Sequence, residues 1–175
     1  MIEAWFDGAT EPVNPGGHSA WGAAVRVDGQ FVFREGGYVG FGPKMSNNVA
    51  EYAAFMEAVS QCLKYPGPVV IRGDSKLVIN QMNRKWRAKA GLYKPFYEQA
   101  RLLWAKLAPR ARLEWVPRER NEVCDGLSKG VLLARGIAFR IQPHAGAPQT
   151  DQKNSFFSAK PRPSNPNFCE QHTKL

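Results

Sequence analysis

The sequence has few residues of the kinds that build cross-linked or membrane-embedded proteins. Three cysteines occur in 175 residues (Cys62, Cys124 and Cys169), and none belongs to a CxxC pair. This spacing excludes a disulfide framework and a zinc ribbon. No apolar run approaches the roughly 20 residues of a membrane span, and the acidic start MIEAWFDGAT does not resemble a secretory signal. We therefore expect a cytoplasmic protein with no membrane partner.

Acidic residues are also scarce, at 15 Asp+Glu against 24 Lys+Arg, and the formal net charge is +9. Between Arg84 and Arg112, nine basic residues stand against one acid, Glu98, so this segment alone carries +8. Five aromatic residues interleave with these cations: Trp86, Tyr93, Phe96, Tyr97 and Trp104. Such a mixture is typical of a surface that binds a phosphate backbone. A solvated basic helix whose aromatic residues face the core fits the composition equally well.

Hydrophobic patterning predicts one domain over residues 1–141 and a flexible, Pro-rich tail over 142–175, where five prolines occur without periodicity. The predicted strands are 2–7, 19–27, 30–39, 69–71 and 113–117. The predicted helices begin at Ser46, Ser75, Pro95 and Glu122 and end before Pro66, at Trp86, at Leu107 and at Arg135. A meander followed by strand–helix units indicates an α/β fold in which helices pack on a mixed sheet.

Four carboxylates fall at the predicted ends of strands and helices: Asp7, Glu51, Asp74 and Asp125. Each has a simple structural explanation, as a turn residue, a helix-dipole partner, a cap or a surface acid. Their joint arrangement favours a site, because ligands gather beyond the carboxyl ends of strands in α/β sheets. Clustered carboxylates require cations, and hard oxygen ligands select Mg²⁺ or Mn²⁺. Two such ions about 3.5–4 Å apart catalyse in-line phosphodiester displacement.

Four segments in register resemble the motifs of type 1 ribonuclease H: WFDGA (5–9), SNNVAEY (46–52), GDSKLVI (73–79) and WVPRERNEVCD (115–125). The resemblance implies a ribonuclease H-like fold, with a mixed five-stranded sheet in order 3-2-1-4-5 and helices on both faces. It also implies endonucleolytic hydrolysis of the RNA strand of RNA–DNA hybrids by a two-metal-ion mechanism that leaves 5′-phosphate and 3′-hydroxyl ends. The implied cofactor is two Mg²⁺ ions, for which Mn²⁺ can substitute.

The resemblance also assigns roles by motif position. Asp7, Glu51, Asp74 and Asp125 correspond to the metal-binding catalytic carboxylates. The RNA strand would be read by Gly8, Asn47 and Asn48, which can sense a 2′-hydroxyl. The charge of the basic segment, rather than a family motif, leads us to expect that Arg84, Lys85, Trp86 and Arg87 hold the DNA strand.

One departure from the family concerns the loop before Asp125. Many members carry a histidine there, whereas this loop is short and holds Arg118, as in compact members of the family. Arginine does not shuttle protons at neutral pH, so Arg118 is expected to act electrostatically or mechanically. The basic excursion after Trp86 is also shorter than in members with a long basic handle.

Two other interpretations remain open. A non-catalytic or different-specificity nucleic-acid-binding protein could use the same fold, although four retained carboxylates would weaken phosphate binding without metals. A proofreading-type exonuclease usually has an Asp-x-Glu first motif, and Asp7-Gly8-Ala9 lacks the second acid. We expect a monomer, and the protein partner of the tail, if it has one, is unknown.

Overall fold

The computed structural model describes residues 1–140, and its centre is a five-stranded mixed sheet. The strands are β1 (Ile2–Glu11), β2 (Gly16–Val27), β3 (Gln30–Gly42), β4 (Val69–Gly73) and β5 (Ala111–Trp115). Their order is β3-β2-β1-β4-β5, with antiparallel pairing among the first three and parallel pairing of β4 with β1 and β5. The predicted sheet and strand order are confirmed. The predicted tail lies outside the described residues.

Four α-helices connect and cover the strands: α1 (Asn47–Cys62), α2 (Lys76–Met82), α3 (Lys94–Leu107) and α4 (Glu122–Ala134). A Cβ on Gly8 of β1 would lie 2.3 Å from backbone atoms of α1, and a Cβ on Gly22 of β2 would lie 2.3 Å from the Cys124 carbonyl oxygen in α4. Gly22 pairs with Asp7, the neighbour of Gly8, and consecutive residues of a strand face opposite sides. Helices therefore cover both faces, as predicted. None of the helices formed by residues 1–140 has the length and hydrophobicity of a membrane span.

Two helix starts follow directly from the sequence. The Ser46 hydroxyl accepts the Val49 N–H at 3.3 Å, and the Ser75 hydroxyl accepts the Val78 N–H at 3.4 Å. Each serine satisfies a backbone donor that has no partner inside the helix. The predicted starts of α1 and α2 are thereby confirmed.

The structure corrects several predicted element ends, including the start of β2, which lies at Gly16 rather than residue 19, and the end of β3, which lies at Gly42 rather than residue 39. Strand β1 continues past Asp7 to Glu11, because β2 keeps pairing with it as far as His18. Helix α2 ends at Met82 rather than at Trp86, since Arg84 adopts a left-handed φ of 60°. The last strand, β5, lies two residues earlier than predicted, at 111–115.

Candidate active site

Three of the four predicted carboxylates meet at one edge of the sheet. The parallel pairing of β1 with β4 ends at Phe6 and Gly73, so Asp7 and Asp74 are the next residues of neighbouring strands. Helix α1 crosses this edge and contributes Glu51. One oxygen from each of Asp7, Glu51 and Asp74 lies within 4.8 Å of the other two. Glu51 lies beyond the first turn of α1, where no acid occurs, so the helix dipole does not explain its position.

Each carboxylate of this group is held by a hydrogen bond from a different part of the chain. The Gly8 N–H donates to Glu51, and the Ser128 hydroxyl of α4 donates to Asp7 Oδ2 at 2.7 Å. The Asn121 side chain donates to Asp74 Oδ1 and to the Phe6 carbonyl oxygen, both at 2.8 Å. Helix α4 and the residue before it therefore fix two carboxylates that lie more than 45 residues away in sequence.

Burial makes negative charge unfavourable at this edge. Asp7 is 4% exposed, and burial raises the pKa of its carboxyl to about 7, with further increases from Asp74 and Asp125 and a decrease from the Ser128 hydrogen bond. Burial also raises the pKa of Glu51 well above its usual value, and the nearby Asp7 and Asp74 raise it further. A positive charge among the three carboxylates would offset both effects.

The donor set fits a hard divalent cation. All three side chains offer oxygen ligands, the type that Mg²⁺ and Mn²⁺ prefer. The Glu51 Oε2 atom is buried and has no hydrogen-bond partner among the described residues, although buried polar atoms normally have one. An unsatisfied buried oxygen beside two further carboxylates is the arrangement that a bound cation would complete.

Asp125, the fourth predicted carboxylate, stands apart from this group. It lies on α4, where Arg118 donates to Oδ1 and Lys129 donates to Oδ2 at 2.7 Å. Both Asp125 oxygens are therefore paired with cations, and neither belongs to the group of oxygens that lie within 4.8 Å of one another. The Arg118 side chain is 63% exposed and lies next to the Asp125 carboxylate.

The predicted RNA-reading residues occupy two different environments. Asn47 and Asn48 are exposed in the first turn of α1, and the Asn47 N–H donates to Asn14 Oδ1 at 3.0 Å. Gly8, in contrast, is buried under α1, where no Cβ would fit. Its N–H is used by Glu51, so the structure gives Gly8 a role in placing that carboxylate rather than an exposed surface.

The predicted DNA-binding residues lie together in one exposed segment, residues 84–89, which we call the basic loop. Its exposed side chains are Arg84, Lys85, Trp86, Arg87 and Lys89. Trp86 is 49% exposed, so this indole is available to a ligand. The seven-residue helix α2 joins Asp74 to the basic loop and spans about 10 Å, which places cations and carboxylates within reach of one extended substrate.

Sequence reasoning missed three residues that support the site: Asn121, Ser128 and Lys129. Asn121 occupies the N-cap position of α4, where asparagine is common. This preference is the one sequence feature that draws attention to any of the three residues. The partners of Ser128 and Asn121 in β1 are 121 and 115 residues away. No local sequence pattern indicates contacts between residues that lie so far apart in the chain.

Comparisons with known proteins agree with this geometry. Residues 6–131 match the family described as "Reverse transcriptase-like". "Bifunctional protein Rv2228c" of Mycobacterium tuberculosis is 33% identical over 90 residues, which are 51% of this chain and 24% of that relative, so the chain spans about a quarter of its length. The solved N-terminal RNase H domain of the same protein is 27% identical with a TM-score of 0.65, covering 78% of this chain and 97% of that domain.

Two further solved structures share the fold. RNase H1 from the halophilic archaeon Halobacterium salinarum NRC-1 is 28% identical, with a TM-score of 0.64, and the alignment covers 76% of this chain and 98% of that one. LC11-RNase H1, isolated from compost and solved in complex with an RNA/DNA hybrid, is 23% identical with a TM-score of 0.68. That alignment covers 77% of this chain and 99% of that one.

Proposed function

The chain belongs to the reverse transcriptase-like family and has the ribonuclease H fold, and we propose that it hydrolyses the RNA strand of RNA–DNA hybrids. The observation that carries the proposal is the meeting of Asp7, Glu51 and Asp74 within 4.8 Å. Exposed asparagines precede Glu51 in α1, and the exposed basic loop follows Asp74 after helix α2. RNases H1 that are 27% and 28% identical over nearly their whole length support the same activity.

Asp7, Glu51 and Asp74 would hold Mg²⁺, and Asp125 would complete the ligand set after Arg118 and Lys129 release it. Two bound Mg²⁺ ions would activate the attacking water and stabilise the leaving 3′ oxygen, leaving 5′-phosphate and 3′-hydroxyl ends. Ser128 and Asn121 orient Asp7 and Asp74 through hydrogen bonds of 2.7 and 2.8 Å, so these carboxylates need little rearrangement to act as ligands.

The remaining residues would select and hold the substrate. Asn47 and Asn48 carry exposed amides that can both donate to and accept from a 2′-hydroxyl, which distinguishes RNA from DNA. The basic loop would contact phosphates of the DNA strand, with Trp86 packing on a sugar or base. Arg118 stays charged at neutral pH and would stabilise negative charge near the scissile phosphate rather than transfer a proton.

A cleavage assay on three labelled substrates tests the proposal. RNA–DNA hybrid, DNA duplex and RNA duplex are each incubated with Mg²⁺, Mn²⁺ or EDTA. We expect internal cuts in the RNA strand of the hybrid that disappear with EDTA and with Asp74→Asn, while the variant still binds the hybrid. Hybrid binding without cleavage under every condition would instead support a non-catalytic nucleic-acid-binding protein.

We also propose that the protein acts as a cytoplasmic monomer. All three clustered carboxylates and the residues that hold them come from one chain, so the site requires no partner subunit. Light scattering at the concentrations used for the cleavage assay measures the oligomeric state, and the mass of a dimer would contradict the proposal that the protein is a monomer.

A further inference from the structure

The basic loop has an exposed, highly charged surface and no regular secondary structure. Five of its six side chains are long and exposed, and it connects α2 to α3 without a helix or strand of its own. Ordering such a segment when a ligand binds costs conformational entropy. Contacts that hold the loop before binding therefore determine how well it can grip a substrate.

The first half of the loop is held by the main chain of α2, because the Asn80 carbonyl oxygen accepts the N–H groups of Lys85 and Trp86. The second half is held through one buried amide side chain. Gln81, in the last turn of α2, is 3% exposed, and its Nε2 donates to the Arg87 carbonyl oxygen at 3.3 Å and to the Tyr93 hydroxyl at 3.2 Å. The Tyr93 hydroxyl also accepts the Lys89 N–H at 3.2 Å. Gln81 thus fixes the loop backbone at Arg87 directly and at Lys89 through Tyr93.

The core holds Gln81 in place through Tyr52. The fully buried Tyr52 hydroxyl donates to Gln81 Oε1, so every polar atom of the Gln81 side chain has a partner. The Tyr52 ring also stacks on Tyr93 with centroids 5.8 Å apart and planes 12° apart. Because Tyr52 follows Glu51 in α1, one helical turn supports both a clustered carboxylate and the basic loop.

We propose that Gln81 is a positioning residue that holds the basic loop in the conformation that binds the nucleic-acid substrate. The proposal rests on the hybrid substrate of the proposed function, but its structural part concerns the loop alone. Gln81 touches neither the clustered carboxylates nor an exposed surface, so its loss weakens substrate binding and leaves the hydrolytic step intact.

Two variants and one control separate this role from general stability. Gln81→Met keeps the side-chain length but removes the side-chain hydrogen bonds to the Arg87 carbonyl oxygen and the Tyr93 hydroxyl. Tyr93→Phe keeps the ring stacking but removes the hydroxyl that joins Gln81 to Lys89. Val59→Ala removes buried volume two turns beyond Tyr52 on α1, which destabilises the core without changing these bonds. All three are compared as the full 175-residue chain.

The first readout needs no substrate. Trypsin cleaves after arginine and lysine, so native-state digestion followed by mass spectrometry reports how often the chain opens at Arg87 and Lys89, where Gln81 and Tyr93 hold the loop. We expect Gln81→Met and Tyr93→Phe to increase cleavage at these sites roughly five- to ten-fold, as the loss of one to two hydrogen bonds implies. Val59→Ala should increase it less than twofold. Equal loop cleavage in the wild type and both loop variants would overturn the proposal.

The second readout, steady-state kinetics, separates an effect on substrate binding from an effect on the hydrolytic step. On RNA–DNA hybrid with Mg²⁺, we expect KM to rise roughly five- to ten-fold in both loop variants while kcat changes less than twofold. Faster loop proteolysis with unchanged KM would overturn the role of Gln81 in substrate binding. If the wild type does not cleave the hybrid, the proposed function fails. The trypsin digestion then still tests whether Gln81 holds the loop.

Discussion

The burial of Asp7 predicts that its carboxylate destabilises the metal-free protein. Its carboxyl is 4% exposed, and its pKa is raised from 3.8 to about 7, chiefly by burial. Asp7→Asn removes the charge and keeps an oxygen that can accept the Ser128 hydroxyl. We therefore expect the variant to be more stable than the wild type in the absence of metal, although it loses hydrolytic activity.

The size of this effect depends on pH in a defined way. The native state keeps the Asp7 proton up to about pH 7, while the unfolded chain loses it near pH 4, so stability falls as the pH rises between these values. Each pKa unit corresponds to about 1.4 kcal/mol. The advantage of Asp7→Asn should be about 4 kcal/mol at pH 8, about 2 kcal/mol at pH 5 and nearly zero below pH 4.

Urea unfolding in EDTA, followed by circular dichroism at pH 8 and pH 5, measures this difference. The control Glu35→Gln changes an exposed carboxylate on β3 and should shift the free energy of unfolding by less than about 0.5 kcal/mol at either pH. Mg²⁺ at pH 8 should stabilise the wild type more than Asp7→Asn. Equal stabilities of the two proteins at pH 8, or a difference that does not shrink at pH 5, would refute the reasoning.

Three further predictions concern activity on the hybrid. Arg118→Ala should lower kcat about tenfold or more with little change in hybrid affinity, because its charge acts near the reacting phosphate; equal turnover in both proteins would contradict this. Ser128→Ala removes a hydrogen bond that lowers the pKa of Asp7, so the acidic limb of the pH–rate profile should shift to higher pH by about one pH unit. An acidic limb at the same pH in both proteins would show that Ser128 does not act through Asp7. Deletion of residues 142–175 should change the rate of hybrid cleavage by less than about twofold, because the carboxylates, the asparagines and the basic loop all precede these residues. A loss of more than about tenfold would place a functional residue in the tail.

The meeting of Asp7 and Asp74 could be predicted because it depends on local signals and one general rule. The run 69–71 reads as a buried strand, Asp74 follows it, and parallel strands end at one edge. The observed register, Phe6 opposite Gly73, is the arrangement this rule requires. The strand order, in contrast, came from the family resemblance that the four motifs carry, and not from the motifs themselves.

Other features could not be predicted because they depend on partners distant in sequence. The extension of β1 beyond Asp7 follows from pairing with β2 and not from residues 8–11 themselves. Helix α2 ends early because Arg84 turns left-handed and the Asn80 carbonyl oxygen accepts the N–H groups of Lys85 and Trp86. The capture of Asp125 by Lys129 fits an ordinary helical ion pair of i,i+4 spacing, so the sequence does not distinguish it from a surface contact.

The bond from Asn121 to the first strand has a consequence for the time at which the site can form during synthesis. Asn121 and Phe6 are 115 residues apart, and ribosomes add about 5–20 residues per second. Roughly 6 to 23 seconds therefore pass between the synthesis of β1 and that of the residue that ties it to Asp74. Until then the carboxylates lack their common support, so a nascent chain carries the basic loop before it carries the complete carboxylate group.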